Sequence, residues 1–340
     1  MVSMRDIAEK CSVSVATVSK ALNNHSDISE ETRKKIRQTA SDMGYYPNSA
    51  ARALKTNRSY NIGVLMNDRA HSGLTHEYFS AVLEGVKVES ESRGYDITFI
   101  NTCFENRKMS YYEHCRYRNF EGVVIVCANF DDPDVIELMN SEIPVVTIDY
   151  VHHNCTAVTS NNIQGMEDLV KYIYSQGHRK IAYIHGQEGS SVTRDRLASF
   201  YRTIDELGLE IPDTYVRTAD YLETKGAAKQ TRELLNLEAP PTCIIYPDDT
   251  SLIGGRNVII EMGLRIPRDI SVAGYDGTMI SQLLYPKLTT IRQNTEIIGS
   301  EAATRLIGTI EKPRTTLVER VVIEGSLVPG QSVGAIQPKE

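Results

Sequence analysis

Residues 4–23, which read MRDIAEKCSVSVATVSKALN, contain two short helical patterns separated by a polar break. Ser3, followed three residues later by Asp6, is a helix-start signal for the first pattern, and Ser14 can cap the second. A third helix is predicted from Ser29, with two glutamates in its first turn, where the helix dipole favours negative charge. Two short helices joined by a tight turn and braced by a third are typical of a helix-turn-helix domain.

The second of these helices has an outer face that suits contact with DNA. If Val18 and Leu22 point to the core, the residues that point outward are Val15, Ala16, Ser19, Lys20 and Asn23. Small side chains near the start of a helix let it approach base edges, and a lysine can reach a guanine or a phosphate. The same pattern is consistent with a three-helix bundle that binds another protein, so pattern alone leaves both interpretations open.

The motifs around these helices make the interpretation more specific. Residues 4–10 (MRDIAEK) and 13–23 (VSVATVSKALN) are followed by SEETR at 29–33, GYYPN at 44–48 and AARALK at 50–55. Together these motifs resemble the DNA-binding head of the lactose/galactose repressor (LacI/GalR) family of ligand-responsive transcriptional regulators. The resemblance implies that the DNA-contacting residues are Ser14, Val15, Ala16, Thr17, Ser19, Lys20, Asn24, Thr32, Tyr45, Asn48, Arg52, Leu54 and Lys55.

Residues 48–55 correspond in this resemblance to the family's hinge helix. Pro47 cannot continue the preceding helix, and Asn48 can cap the next one. Because so short a segment is not stable as an isolated helix, we expect it to be ordered only beside a partner hinge and DNA. Leu54 matches the family's leucine that wedges between central base pairs in the minor groove. The alternative for Leu54 is a linker residue with nothing to pack against.

The charge of the 340-residue chain is divided unevenly along its length. The whole sequence has a formal charge of −7, which by itself argues against binding to nucleic acid. Residues 1–59, however, contain ten Lys or Arg against six Asp or Glu, a net charge of +4, and the remainder carries −11. A small basic head on a large acidic body is the distribution expected if only the head contacts phosphates.

Several classes of protein are excluded by the pattern of apolar residues and cysteines. The longest apolar stretches, such as residues 122–128, have about seven residues, whereas a membrane span needs roughly 20. The first residues lead directly into amphipathic sequence, so we expect no secretory signal and a cytoplasmic location. Free thiols are expected, rather than disulfides or zinc ligands, at the scattered cysteines Cys11, Cys103, Cys115, Cys127, Cys155 and Cys243.

From residue 60 onward, short β-rich runs alternate with amphipathic helical segments. The predicted strands are 61–66, 95–100, 122–127, 144–148, 180–185, 243–246 and 270–274, and the predicted helices include 76–92, 162–176, 194–207 and 250–262. This alternation is typical of doubly wound parallel sheets, and the length favours two lobes that bind ligands at the carboxyl ends of the strands. The predicted fold class is therefore an all-α helix-turn-helix head followed by an α/β two-lobed body.

The family resemblance extends over this body, which is similar to periplasmic sugar-binding proteins. The motifs that carry it are GHRKIA at 177–182, GLRIPRDISVAGYD at 263–276 and LTTI at 288–291, and most of their residues are expected to be scaffold. The resemblance implies four divisions: a helix-turn-helix domain, 1–46; a hinge helix and linker, 47–59; an N-terminal lobe, 60–160 with 292–324; and a C-terminal lobe, 161–291 with 325–340.

Candidate effector-binding residues lie at strand ends and in the loops that follow them. Asp276 ends the strand at 271–275 and Arg196 opens a helix after a loop, so the two can form a polar clamp for hydroxyl or carboxylate groups. Either residue alone is more typical of a structural ion pair. With the family's matching positions, the implied set is Tyr78, Phe79, Asp149, Thr193, Arg196, Tyr221, Asp248 and Asp276. For the two adjacent aromatic residues of this set, packing in a helix core is the alternative.

The sequence departs from the family pattern beside this candidate pocket. Pro247-Asp248-Asp249 stands where the family commonly has Asn-Asp, which changes the hydrogen-bond donors at that position. Residues 68–75, which would border the pocket, are also unusual. Three acids with one or two arginines favour a neutral polyol over a phosphate as the effector.

Two other classes of function receive less support. An enzyme would need a catalytic or nucleotide-binding arrangement, but neither a G-x-G-x-x-G nor a P-loop motif occurs. The adjacent acids Asp131-Asp132 and Asp248-Asp249 are expected in solvated turns or caps, and His152-His153 are expected to point apart on a strand rather than bind a metal. A two-lobed solute-binding receptor without a transcriptional role is the main alternative, but it has no DNA-binding head.

The sequence therefore predicts a homodimeric or higher-oligomeric repressor that binds a pseudo-palindromic operator. Its affinity for DNA is expected to depend on a small-molecule effector, a sugar, held between two lobes. No cofactor, metal or membrane is part of this prediction.

Overall fold

The computed structural model describes residues 2–23, 25–46, 53–54, 56–67, 73–104 and 107–336. The chain forms two compact units, Met1–Ser59 and Tyr60–Glu340, which are called the head and the body below. A helical head and an α/β body are observed, so the predicted fold class is confirmed.

The described part of the head contains three helices, α1 Met4–Cys11, α2 Val15–Leu22 and α3 Glu30–Asp42. Each helix begins after a serine whose hydroxyl accepts a backbone N–H, as predicted from the sequence. Helices of this length are marginal in isolation, so their stability comes from a shared core. That core consists of Ile7, Ala8, Cys11, Val18, Ala21, Ile36 and Ala40.

The body contains a six-stranded parallel sheet with the strand order β13-β7-β6-β5-β1-β2. Its strands are β1 Asn61–Met66, β2 Asp96–Phe99, β5 Gly122–Cys127, β6 Val145–Ile148, β7 Thr156–Ser160 and β13 Arg320–Ile323. The inner strands are buried along nearly their whole length because helices cover both faces of the sheet. β7 and β13, which pair with each other, are absent from the strands predicted by local pattern.

A second parallel sheet has four strands in the order β11-β10-β8-β9. Its strands are β8 Ile181–His185, β9 Val216–Thr218, β10 Cys243–Ile245 and β11 Ser271–Ala273. Two antiparallel pairs complete the described strands: β3 Cys103–Phe104 with β4 Arg107–Lys108, and β12 Thr290–Arg292 with β14 Ser326–Val328.

Helices lie on both faces of the two sheets. They are α4 Glu77–Ser92, α5 Tyr111–Arg118, α6 Pro133–Met139, α7 Asn162–Ser175, α8 Ser191–Glu206, α9 Thr224–Leu235, α10 Asp249–Glu261, α11 Met279–Leu283 and α12 Thr295–Glu311, with 3₁₀ turns at Gly73–Thr75 and Asp213–Tyr215. α8 begins before the predicted residue 194 because Ser190 supplies its cap, so Arg196 lies in the second turn rather than at the opening of the helix. Within the described residues, no helix combines the length and apolar character needed to cross a membrane.

The helices α4 and α12 cross at two glycines. A Cβ atom on Gly85 would lie 2.4 Å from the carbonyl oxygen of Glu296, and one on Gly299 would lie 2.0 Å from the carbonyl oxygen of Val82. Because both neighbours are backbone atoms, a side chain at either position would push the two helices apart. The close crossing helps to seat α12 against the core of the six-stranded sheet.

Replacing Gly299 with alanine is expected to lower the free energy of unfolding by about 2–3 kcal/mol, because the added methyl group collides with α4. Gly308→Ala on the same helix is the matched control, since nothing lies within 4 Å of its Cβ position. That change should raise stability by about 0.5–1 kcal/mol through better helix propensity. Denaturant unfolding of both variants measures the difference, and equal stabilities would contradict the tight crossing.

Candidate functional site

The outward face of α2 carries residues predicted to contact DNA. Four of the predicted residues are exposed: Ser14, Val15, Ala16 and Lys20. Two others are half-buried: Thr17 and Ser19. Val15 exposes 45% of its surface although it is apolar. Small apolar side chains left exposed on the first turn allow the close approach that base-edge contact requires.

The remaining predicted DNA contacts are described only in part. Thr32 is half-buried and its N–H donates to the Ser29 hydroxyl at 3.3 Å, and Tyr45 is also half-buried. Leu54 exposes 89% of its surface. The other predicted contacts lie outside the described residues; they are Asn24, Asn48, Arg52 and Lys55.

Asp149 and Tyr78 lie at the carboxyl end of the six-stranded sheet. Asp149 follows β6 with a φ of 54°, and its Oδ2 accepts a hydrogen bond from the Tyr78 hydroxyl at 2.6 Å. Its Oδ1 accepts the N–H of Ser160 at 2.9 Å. Burial raises the pKa of Asp149, while the Tyr78 and Ser160 hydrogen bonds oppose the rise. Tyr78 therefore combines a place in the core with a polar contact to a candidate ligand-binding acid.

Phe79 is half-buried beside this pair. Its ring centroid lies 5.3 Å from that of Tyr78, and the side chain packs against the core of the six-stranded sheet. Its position is thus compatible with core packing and with contact to a bound ligand.

Arg196 is buried, with 3% of its surface exposed, although it is charged. Its Nε donates to Oδ1 of Asn162 at 2.7 Å, and its Nη1 donates to the carbonyl of Pro247 at 3.0 Å. The guanidinium carbon also lies 3.5 Å from the centroid of the Tyr275 ring. Burial by itself lowers the pKa of Arg196, but Tyr275 and other neighbouring acidic groups raise it above its usual value. The guanidinium therefore stays charged and is held in place from several sides.

Asp276 faces Arg196, with 3.9 Å between Oδ1 and Nη2, which is longer than a hydrogen bond. The same Oδ1 accepts a hydrogen bond from Nε2 of Gln293 at 2.6 Å. Gln293 in turn bonds to the hydroxyl of Ser160 at the end of β7. Burial raises the pKa of Asp276 to about 7, with Arg196 opposing the rise. Gln293, which the sequence interpretation missed, lies two residues after the LTTI motif, and that proximity is the only signal that could have identified it.

Asp248 is the N-cap of α10 and has 1% of its surface exposed. Its Oδ1 accepts the N–H of Ser251 at 2.7 Å, and its Oδ2 accepts the Ser251 hydroxyl at 2.7 Å and the N–H of Leu222 at 2.9 Å. The departure from the family pattern thus supplies a capping acceptor. The cap expected for this acidic pair is confirmed, but the expected solvation of Asp248 is wrong.

Tyr221 and Thr193 form a hydroxyl pair near Arg196. Their oxygens are 2.9 Å apart, and the guanidinium carbon of Arg196 is 6.0 Å from the Tyr221 ring centroid. A Cβ atom on Gly186 would lie 2.1 Å from the Tyr221 ring, so a glycine is needed to admit this ring. The glycine after β8 therefore positions a predicted effector-lining residue.

Asp249 is fully buried, so its expected solvation is also wrong. Its Oδ2 accepts the N–H of Thr278 at 2.8 Å and the hydroxyl of the same residue at 3.0 Å, while Oδ1 accepts the Thr290 hydroxyl at 2.8 Å. A Cβ atom on Gly274 would lie 2.1 Å from this Oδ1, so the glycine of the GLRIPRDISVAGYD motif makes room for the carboxyl group. Burial raises the pKa of Asp249 to about 8, and the charge of Asp276 adds to the rise.

The raised pKa of Asp249 predicts a pH dependence of stability. Its contribution is fully present below the ordinary pKa of 3.8 and is lost as the pH rises through about 8, because the unfolded chain releases the proton first. The wild-type protein should therefore lose stability over this range. The side chain of Asp249→Asn cannot ionise, so its free energy of unfolding should fall less steeply with pH than that of wild type, by up to about 1.4 kcal/mol per pH unit. Denaturant unfolding between about pH 4 and pH 8 measures the slopes, with the exposed Asp205→Asn as control; parallel profiles for wild type and Asp249→Asn would contradict the burial effect.

Tyr183 is a further buried polar group that the sequence interpretation missed. It lies in β8 with no exposed surface, and its hydroxyl has no hydrogen-bond partner among the described residues. Burial raises its pKa well above the usual value, and Tyr221 and Arg196 also act on it electrostatically. An unpaired buried hydroxyl costs about 1–3 kcal/mol, and this one lies among the groups that surround Arg196.

His152 and His153 lie in a turn before β7 rather than on a strand. The carbonyl of His152 accepts the N–H of Cys155 at 3.2 Å, and this turn places the two rings 4.3 Å apart. The expectation that they point apart is therefore wrong. In the ranges that the structure describes, no group of three His, Cys, Asp or Glu residues is arranged to hold a metal ion. Of the other acidic pair, Asp132 caps α6 and Asp131 is exposed, as expected.

The chain combines a helix-turn-helix head with a body whose polar groups lie at the ends of two parallel sheets. This combination is typical of ligand-responsive DNA-binding proteins. Residues 3–48 match the family described as bacterial regulatory proteins, lacI family, and residues 170–333 match the periplasmic binding protein-like domain. The "Probable HTH-type transcriptional repressor ExuR" of Bacillus subtilis strain 168 is 30% identical over 318 residues, which cover 93% of each chain.

Solved structures of similar fold agree with this match. The lac repressor dimer bound to operator and the anti-inducer ONPF has a TM-score of 0.81 at 25% identity, over 98% of this chain and 99% of that one. The transcriptional regulator CelR–cellobiose complex has a TM-score of 0.71 at 23% identity, over 98% and 100% of the two chains. The chain belongs to the lacI family of bacterial regulatory proteins. It is a DNA-binding transcriptional regulator, from a family of repressors rather than enzymes.

Proposed function

We propose that this chain is a repressor whose operator affinity is set by an uncharged, polyhydroxylated effector, a sugar, bound where the two sheets present their strand ends. The observation that carries the proposal is the clamp of Arg196 and Asp276, completed from the six-stranded sheet by Asp149 and Tyr78. These groups come from separate segments of the chain and converge at the edge where parallel α/β proteins bind ligands. Thr193, Tyr221, Asp248 and Phe79 are assigned to the wall of the same site.

The balance of charge supports a neutral ligand. Arg196 uses two of its five N–H groups on Asn162 and Pro247, and its positive charge already faces the carboxyl group of Asp276. Asp149 and Asp276 retain lone pairs that accept hydrogen bonds from hydroxyl groups. An anionic ligand would add a further negative charge beside two buried carboxyl groups, which costs free energy that a polyol avoids. The cellobiose in the CelR complex is a neutral sugar held by a protein of this fold.

We assign the coupling between effector binding and DNA binding to a movement between two lobes of the body. The lobes proposed from the sequence are 60–160 with 292–324 and 161–291 with 325–340. Polar contacts join them near the site: the Ser191 hydroxyl donates to the carbonyl of Asp149 at 2.6 Å, Nε2 of Gln293 donates to Oδ1 of Asp276 at 2.6 Å, and Arg320 lies 3.5 Å from the carboxylate of Asp195. A ligand bound among these contacts changes how closely the lobes approach, and this biases the order of the hinge at 47–59. Coupling of this kind is typically worth about 1–3 kcal/mol.

On the DNA side, we assign the protein as a homodimer or higher oligomer that binds a pseudo-palindromic operator in the cytoplasm. Each copy places α2 in one of two successive major grooves, with Val15 and Ala16 toward base edges. Arg52 and Lys55 contact phosphates and set the register of the head on the duplex, and Lys20 reaches a guanine edge or a phosphate.

A thermal-shift screen of the full-length protein tests the effector assignment. Neutral sugars are compared with the matching uronic acids and sugar phosphates, and with nucleobases. At 100 times its Kd, a ligand contributes about 2.7 kcal/mol, which should raise the melting temperature by about 5–10 °C. Compounds that stabilise the protein are then added to operator complexes, whose affinity should change by about 5- to 150-fold.

Two results would contradict the proposal. Stronger stabilisation by an anionic sugar than by its neutral counterpart would show that the effector is not a neutral polyol. Stabilising compounds that leave operator affinity unchanged would show that the site does not control DNA binding.

A further inference from the structure

The recognition surface of the head contains an ion pair. Lys20 is the only charged residue in α2, and its ammonium group pairs with the carboxylate of Asp27 in the segment between α2 and α3. The side chains expose 48% and 52% of their surface, so both groups can be approached from solvent. The one cation that α2 offers to DNA is therefore already paired with an acid of the same head.

The segment that carries Asp27 is anchored at both ends. Arg33 of α3 donates from Nη2 to the carbonyl of His25 at 2.8 Å and to the carbonyl of Ile28 at 3.2 Å. The N–H of His25 donates to the carbonyl of Lys20 at 3.0 Å, which joins the segment to the last turn of α2. Asp27 thus lies between two anchored residues and is presented to Lys20 by the fold of the head.

Asp27 remains charged under the conditions in which DNA binds. The hydrogen bond from Lys20 lowers the pKa of Asp27 below its usual value. A carboxylate at this position repels phosphates within about 10 Å at ordinary ionic strength. A phosphate that forms its own ion pair with Lys20 must therefore also break the pair between Lys20 and Asp27.

Base edges do not meet the same penalty. An ammonium group has three N–H donors, so Lys20 can keep its bond to Asp27 and still donate to the neutral acceptors of a guanine. The ion pair therefore favours a base-edge contact over a phosphate contact. Non-specific DNA offers Lys20 mainly phosphates, whereas an operator in register offers base edges.

We propose that Asp27 is a specificity-determining residue of the head: it withholds Lys20 from phosphates on non-cognate DNA and leaves it available to base edges in the operator. This inference rests on the placement of α2 in the major groove given under the proposed function. In this role an acidic residue contributes to DNA recognition because it increases the discrimination between operator and non-cognate DNA rather than the affinity for either.

The test compares full-length wild type with Asp27→Asn on two DNA probes. One probe is the duplex that wild-type protein selects from a random library, and the other is a duplex of the same length and composition with a scrambled sequence. For Asp27→Asn, affinity for the scrambled duplex should rise about tenfold, and its dependence on log salt should steepen by about 0.9, the value for one added phosphate contact. Affinity for the selected duplex should rise by less than about threefold, so the specificity ratio falls.

Glu31→Gln is the matched control for charge, because Glu31 is an exposed acid in the first turn of α3 of the same head. It should raise affinity for both duplexes by a similar small factor. In a Lys20→Met background, Asp27→Asn should behave like Glu31→Gln, because the residue it releases is no longer present. If Asp27→Asn in the wild-type background matches Glu31→Gln on both duplexes, the inference is wrong.

Failure of the underlying placement gives a different result. If Lys20→Met leaves affinity for the selected duplex unchanged, Lys20 makes no operator contact, so its assignment under the proposed function falls and the role of Asp27 falls with it. If Lys20→Met weakens that affinity but Asp27→Asn leaves the specificity ratio unchanged, only the role of Asp27 is overturned. Asp27 is exposed, so circular dichroism of the variant should match wild type.

Discussion

Asp276→Ala is expected to abolish the response of DNA binding to effector while leaving operator affinity without effector within about threefold of wild type. The carboxylate accepts a hydrogen bond from Gln293 at 2.6 Å and lies 3.9 Å from Arg196, at the centre of the proposed site. Loss of two hydrogen bonds to a charged group costs about 3 kcal/mol, which corresponds to about 100-fold weaker effector binding. The operator affinity is spared because Asp276 belongs to the body and the DNA contacts belong to the head.

This prediction is measured by titrating effector into operator complexes of each variant. Asp205→Ala, an exposed acid on α8, is the matched control and should respond like wild type. Arg196→Ala should lose the response as well, but it also leaves the Asn162 and Pro247 acceptors unpaired, so it should unfold more easily. A wild-type response at wild-type effector concentrations in Asp276→Ala would show that the pocket lies elsewhere.

Leu54→Ala is expected to weaken operator binding by about 100-fold while changing non-specific binding by less than about threefold. Leu54 exposes 89% of its surface, so its side chain contributes little to the folded head. A residue that wedges between base pairs acts only where the sequence permits the DNA to bend, and this condition separates operator from non-specific DNA.

Titrations at matched salt concentrations with operator and scrambled duplexes measure this difference. Leu317→Ala is the control, since Leu317 is equally hydrophobic and exposes 81% of its surface in the body. Equal losses on the two duplexes would identify Leu54 as a linker residue rather than a wedge.

The head shows how much of this structure local sequence can predict. Helix α2 begins after Ser14 and buries Val18 and Ala21, as expected from the cap and the apolar spacing. These features depend on neighbours within one or two turns, so they can be derived without knowledge of the rest of the chain. Asp27 could not be assigned in this way, because its pairing with Lys20 depends on how Arg33 anchors the intervening segment.

The site in the body was predicted only as a set of strand ends. Asp276 is predicted because it follows a buried strand and parallel sheets bring such positions to one edge, whereas Asp149 is implied by the family resemblance. Gln293 and Asp249 were missed, since one follows a short antiparallel strand and the other resembled a solvated acid. Gln293 bonds to Asp276, which is 17 residues away along the chain, and Asp249 bonds to Thr290, which is 41 residues away. The importance of both residues depends on these distant partners.

The sequence by itself determined the helix-turn-helix head, the alternation of strands and helices in the body, and the family to which the chain is similar, because each is written in local spacing and motif. Only the tertiary structure decided that Arg196 is buried on Tyr275, that Asp248 and Asp249 are buried acceptors, and that Asp27 holds Lys20. The physical reason is that burial, charge state and hydrogen-bond partner are properties of the surroundings of a side chain, and those surroundings are assembled from distant parts of the chain.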